Sequence, residues 1–271
     1  MMIRKYCPKI DHLCSHFSII PYKGQKNNSI YKENERKCRE VQCVINGDDF
    51  GMTESCTGAI CLALRKGLIT HTTMLANGGC FEQAVVLARE QGFVEKIGWH
   101  INLTEGEPLT EAMARCPLFV RDGRFHKEYL KNPRALTSDE QNAVVAELTA
   151  QANRLRDSGI PFCHADSHHY IHTYQFIAPL VAQVCRSFGV EQIRLNRTFQ
   201  PTVTDGRVDN SFWREQGFAT TRQFGRPSDF PDGIYPDDAE ILVHPDFDKD
   251  GVLIDRRGME NGVPYGERLC K

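Results

Sequence analysis

The chain has 271 residues, 41% hydrophobic and 25% charged, enough to bury a full core within one domain. Its formal net charge of -2, with no long run of either sign, excludes the broad electrostatic attraction that holds nucleic acid or an anionic membrane, and leaves a small neutral ligand as the better partner. The longest apolar stretches, such as Ile60 to Leu64, fall far short of the roughly 20 residues that a membrane helix requires, so no membrane partner is expected.

Residues 1–40 are polar, rich in Lys, Asn and Ser, and lack the period of either strand or helix, which predicts a loosely held extension ahead of a folded domain over 41–271. Arg4 and Lys5 are basic, but Cys7, Pro8, Lys9, Asp11 and His12 stand where an export signal would have its apolar core, so the expected location is the cytoplasm. The eleven cysteines form no CxxC pair, and Cys43, Cys61, Cys163 and Cys185 fall in apolar segments, as reduced thiols do. Cys7, His12, Cys14 and His16 match no zinc spacing.

Within the domain the pattern alternates. Val41 to Asn46 predicts a buried strand, Ser55 to Lys66 an amphipathic helix ended by Gly67, Leu68 to Ala76 a strand, Phe81 to Glu90 a helix, and Ile97 to Leu103 a third strand. An irregular stretch with Pro108, Pro117 and Pro133 follows. Ser138 and Gln141 then suggest a capping box for a helix running to about Asp157. Strands are predicted near Phe162 to Ala165, Gln192 to Leu195 and Glu240 to Val243, with a helix over about Tyr174 to Ser187. Such alternation predicts an α/β fold with a parallel sheet, whose chemistry gathers at the carboxyl ends of the strands.

The polar motifs stand where that rule puts them. Asn46 to Gly51 follows the first strand, Gly98-Trp99-His100 lies in the third, Asp166-Ser167-His168-His169 follows the fourth, and His244-Pro245 ends the last. The adjacent carboxylates of Asp48 and Asp49 repel unless a cation or proton is shared, although the segment also reads as a solvated turn. His100 alone reads more readily as a satisfied structural strand residue than as a ligand. Three histidines at 168, 169 and 172 need partners for six ring nitrogens, and a metal is the economical one. Two imidazoles and one carboxylate would leave coordination positions open for water and substrate.

Together with Gly67 to Met74, Asn77-Gly78 and Gly98 to Gly106, these motifs resemble, in order and in register, those of the YdjC-like carbohydrate deacetylases. The resemblance runs from about Val41 to the end of the chain. It implies a distorted (β/α) barrel, a divalent metal usually taken as Mg2+ with Zn2+ as the alternative, often a homodimer, and removal of N-acetyl groups from amino sugars or short chitooligosaccharides. Carried over position by position, it makes His100 and His168 metal ligands together with Asp49, Asp48 the catalytic base, and His244 the general acid or a substrate contact. Arg194, at a strand end beside Arg197, is the candidate substrate-binding residue, with structural pairing as its alternative. Trp99, Phe125, Tyr170 and Phe230 are candidate faces for a sugar ring. Relatives continue past the His-Pro motif, so this chain is expected to lack its last C-terminal elements. The alternatives are a metal hydrolase of another amide or ester, and an inactive binding homologue.

Overall fold

A computed structural model describes residues 43–199 and 206–257. The expectations for the 1–40 extension, for the Cys7 to His16 cluster and for elements past residue 257 fall outside the described residues.

Continuous burial makes the first element longer than its apolar run. Strand β1 (Val44–Phe50) carries on through both aspartates, because residues 46–50 are buried and Phe50 pairs with Met74. Helix α1 (Glu54–Arg65) starts where the Thr53 side chain accepts the Cys56 amide, with Glu54 complementing the dipole in the first turn. Strand β2 (His71–Met74), helix α2 (Phe81–Glu90) and strand β3 (Ile97–Ile101) follow as the periodicity predicts, with slightly trimmed strands. The irregular stretch contains the one-turn helix α3 (Glu111–Ala114) and a short hairpin of β4 (Val120–Arg121) and β5 (Arg124–Phe125).

Helix α4 (Ser138–Asp157) has its capping box one residue earlier than expected: the Thr137 side chain accepts the Glu140 amide, and the Glu140 carboxylate accepts the Thr137 amide. Its buried stripe, Ala143, Val144, Leu148, Ala152 and Leu155, also includes two polar side chains, Glu147 and Gln151. Both are spent on the loop after β3. Glu147 accepts the Leu109 and Thr110 amides, and Gln151 bonds both the amide and the carbonyl of Asn102.

Strand β6 (His164–Ser167) leads into a 3-10 turn over His168–Thr173, and helix α5 (Ala178–Ser187) begins later than the sequence suggests because that turn takes up the intervening residues. The remaining elements are β7 (Gln192–Ile193), α6 (Ser211–Glu215), β8 (Gln223–Gly225), β9 (Ala239–Val243), and a hairpin of β10 (Pro245–Phe247) with β11 (Leu253–Asp255).

Seven strands form one parallel sheet in the order β7-β6-β3-β2-β1-β9-β8. The sheet curls. Its two edges are tied by a parallel bridge between Gln192 and Ala219 and by hydrogen bonds between Thr198 and Phe224. This is a distorted (β/α) barrel with an irregular seam, and strands β3 and β9 are buried along their whole length, as sheets covered on both faces are.

Candidate metal centre and active site

Backbone strain marks the two places where the chain turns into the site. Asp49 adopts φ 71° where the register between β1 and β2 shifts, and His169 and Tyr170 both adopt φ 55° directly after His168. Non-glycine residues in this region are held there only when their surroundings over-determine them, and such residues concentrate at functional sites. The consequence is positional. Asp48 and Asp49 diverge although adjacent, and His168 turns back toward β1.

Asp49, His100 and His168 converge in the interior. His100 Nε2 lies 3.2 Å and His168 Nδ1 2.8 Å from the same oxygen, Asp49 Oδ1. The three are buried, and their nearest atoms could serve one ion. Asp49 Oδ1 and His100 Nε2 are buried and, although 3.2 Å apart, make no hydrogen bond of good geometry. A buried polar atom without a partner costs about 1–3 kcal/mol. Two of them facing each other, with a third donor atom beside them, fit a divalent cation.

The charge balance points the same way. Burial raises and the two imidazoles lower the Asp49 carboxyl, which ends well below the usual carboxylate range. Burial disfavours a charged His100, yet Asp166, with help from Asp49 and Asp48, pushes that imidazole up to about 10. The cluster demands positive charge, and a divalent ion meets that demand.

Each of the three also has a partner behind it. His100 Nδ1 donates to Asp166 Oδ1 at 2.6 Å, its register neighbour across β3 and β6. His168 Nε2 lies 3.1 Å from Glu105 Oε2. Asp49 Oδ2 accepts from Arg256 at 2.5 Å.

Asp48 sits beside this cluster, but its carboxylate faces a different neighbour. Arg194 donates to it from both terminal nitrogens, and Asn46 Nδ2 donates to Oδ1 at 2.8 Å. Burial alone would raise the Asp48 carboxyl; the Arg194 guanidinium overcomes this and holds it below the ordinary value. Arg194 is itself 2% exposed and also meets Asp166 at 2.6 Å and Glu240 at 2.6 Å. One guanidinium among three carboxylates leaves negative charge in excess. Burial relieves part of it by pushing Glu240 up to about 7, where it takes up a proton readily.

Arg194, the candidate substrate-binding residue, shows the structural pairing that was its alternative. Its donors are spent on carboxylates in the interior. Arg197, its neighbour, pairs with Asp229.

His244 follows β9 and lines the same small opening as Asp48, His100, His168, Tyr170 and Arg257. Its amide donates to Asp255 of β11. Burial lowers the imidazole to about 3, against the pull of Asp49 and Asp48, so the resting ring is neutral. His172, one of the three clustered histidines, is not near a free ligand position. Its Nδ1 meets Ser167 Oγ at 2.5 Å and its Nε2 meets the Arg194 carbonyl at 3.1 Å, which satisfies a neutral ring. Among the aromatic candidates, Trp99, Phe125 and Phe230 belong to the buried core, and Tyr170 alone lines the opening.

Sequence inspection missed several residues. Asp166 and Glu105 lie inside motifs already noted, and a carboxylate within reach of a motif histidine was the available signal. Glu240 and Arg256 carry no comparable mark.

The model of the family described as "YdjC-like protein" matches residues 42–262. A protein of Listeria monocytogenes named "Carbohydrate deacetylase" is 33% identical over 150 residues, 55% of this chain and 59% of that protein. The chain thus spans 59% of the length of that relative. "Carbohydrate deacetylase 1" of Listeria innocua is 30% identical over 210 residues, 76% of this chain and 82% of that protein. The crystal structure of a putative cellobiose-phosphate cleavage protein from Enterococcus faecalis superimposes with a TM-score of 0.63 at 22% identity, covering 79% of this chain and 84% of that one, and so shares the fold.

Proposed function

Because the chain belongs to the YdjC-like family, we propose that it is a metal-dependent hydrolase that removes N-acetyl groups from amino sugars or short chitooligosaccharides. The observation that carries this reading is the convergence of three buried atoms, Asp49 Oδ1, His100 Nε2 and His168 Nδ1, into a two-imidazole, one-carboxylate set. Asp49, His100 and His168 would hold the ion. A divalent cation bound there would supply Lewis-acid polarisation of the acetamide carbonyl and acidify a water molecule.

The protein's own groups do the rest. Asp48, kept ionised by Arg194, accepts the proton of the attacking water through the carboxylate valence that Arg194 and Asn46 leave unused. The amine departs only when its nitrogen is protonated. His244 enters neutral and lines the same opening as Asp48, so it serves as the relay that carries the water-derived proton to the leaving nitrogen. Tyr170 on the rim is the aromatic face left for a sugar ring.

The family resemblance implies magnesium, whereas the donor set of two imidazoles and one carboxylate is that of a borderline ion such as zinc. The cytoplasmic location expected from the cysteine usage goes with this reading, as does a small, neutral sugar as partner.

The test is acetate release from diacetylchitobiose by metal-stripped protein, before and after addition of Mg2+, Mn2+ or Zn2+. Acetate that appears only with added ion supports the reading. Ion binding with hydrolysis of a different amide or ester, and no acetate from any N-acetyl sugar, would replace the substrate class; neither binding nor hydrolysis would overturn the reading.

A further inference from the structure

The outer partner of His168 comes from a loop, whereas the other outer carboxylate comes from the sheet. Asp166, which holds His100, is buried within β6 and fixed by Arg194 and by Thr73 Oγ1, which donates to it at 2.9 Å. Glu105, which holds His168, has a half-exposed side chain on the segment joining β3 to α3.

An imidazole ligates through one nitrogen only when its proton resides on the other. His168 Nδ1 lies 2.8 Å from Asp49 Oδ1, and with an ion held at Nδ1 the ring proton must reside on Nε2, where Glu105 Oε2 is the acceptor in reach. His100 is arranged in the opposite sense, with Nδ1 given to Asp166 and Nε2 presented to Asp49. Two histidines that offer different nitrogens to one point are set by carboxylates on opposite ring edges.

The loop that carries Glu105 is braced for this purpose. Asn102 Oδ1 accepts the amides of Thr104 and Glu105, and the side-chain amides of Asn102 and Asn77 both donate to the Glu105 carbonyl. Asn102 is itself pinned to α4 by Gln151, and the far end of the loop is pinned by Glu147.

We propose that Glu105 is the positioning residue for His168, fixing its tautomer and ring direction, so that the β3–α3 loop sets the metal affinity of the centre. This rests on the metal-dependent reading above. A carboxylate behind a ligating histidine raises its basicity, and loss of such a partner typically weakens metal binding by about 10–100-fold.

The experiment is Mn2+ binding to the metal-stripped full chain by equilibrium dialysis and calorimetry, for wild type, Glu105→Gln and Glu105→Ala, alongside thermal melts of the metal-free proteins. The wild type is expected to bind one ion per chain. Glu105→Ala is expected to bind it about 10–100-fold more weakly, Glu105→Gln to fall between, and the metal-free melts to coincide, since the side chain is half exposed. Unchanged affinity in Glu105→Ala would overturn the assignment while leaving the proposed function standing. Two ions in wild type and one in Glu105→Ala would overturn it in favour of Glu105 as a direct ligand with His168 and His169, a grouping whose atoms also lie within reach of one another. Metal-free melts that drop in both variants in step with affinity would overturn it in favour of a general structural role. No ion bound by wild type would overturn both this inference and the function it rests on.

Discussion

Arg194 grips Asp48 with both terminal nitrogens, at 2.7 and 2.8 Å, across 146 positions of sequence. Arg194→Met would leave Asp48, Asp166 and Glu240 buried without their cation, and breaking a buried pair in this way typically costs about 3–5 kcal/mol. Arg194→Lys keeps the charge and loses the two-pronged geometry. It is expected to remain folded and to lower kcat with little change in KM, because it disturbs the base and not a substrate contact. A KM effect alone in Arg194→Lys would restore the substrate-binding role.

The neighbouring aspartates separate by substitution. Asp48→Asn is expected to retain bound metal and the fold while losing turnover nearly completely, since the amide matches the shape and accepts no proton. Asp49→Asn, His100→Ala and His168→Ala are each expected to lose metal, because each removes part of a three-residue set. Metal analysis after gel filtration, with acetate release on the same samples, checks both halves. Metal lost from Asp48→Asn and kept in Asp49→Asn would reverse the two roles.

His244 is tested by the leaving group. An amide nitrogen must be protonated to depart, whereas an activated ester expels a stable oxyanion, so His244→Ala is expected to slow an N-acetyl sugar by about 10²-fold or more and an activated acetate ester much less. Equal losses on the two substrates would assign His244 to positioning or folding through its place beside β11.

His172 makes a prediction about pH. Burial lowers its folded pKa to about 3, while the unfolded value is about 6.5. Above pH 6.5 neither state holds the proton and the residue adds no pH dependence. As pH falls below 6.5 the unfolded chain takes up a proton that the folded one refuses, and stability drops by up to about 1.4 kcal/mol per pH unit until pH approaches 3. Urea titrations at pH 7 and 5 should therefore show a smaller difference for His172→Gln than for wild type. Parallel pH dependence in the two proteins would mean that His172 is protonated in the fold.

The sequence was most readable where chemistry and periodicity coincide. Asp48, Asp49 and His100 lie near the carboxyl ends of β1 and β3, His168 and His244 directly follow β6 and β9, and the parallel sheet brings these four strand ends together. What escaped was direction. A pattern of apolar residues says that Arg194 ends a strand, but whether its side chain faces a mouth or an interior depends on Asp166 and Glu240, which arrive from other strands. The same holds for His172, which resembles a ligand by spacing and becomes a packing residue only because Ser167 and the Arg194 carbonyl happen to meet both nitrogens. The short hairpin of β4 and β5 has two residues per strand, too few for any alternation to register.

Sheet order has a consequence for how the molecule is made. β1 pairs with β9, Val44 against Glu240, so a chain emerging from the ribosome must hold the finished edge of β1 unpaired while about 200 further residues are synthesised, some tens of seconds at ~5–20 residues per second. The long loop closure also slows spontaneous refolding relative to folds built from local contacts. That exposed edge is the surface to which a chaperone, or a second nascent chain, would attach first. Truncation products ending before β9 should accordingly accumulate as aggregates, even though they contain Asp49, His100 and His168.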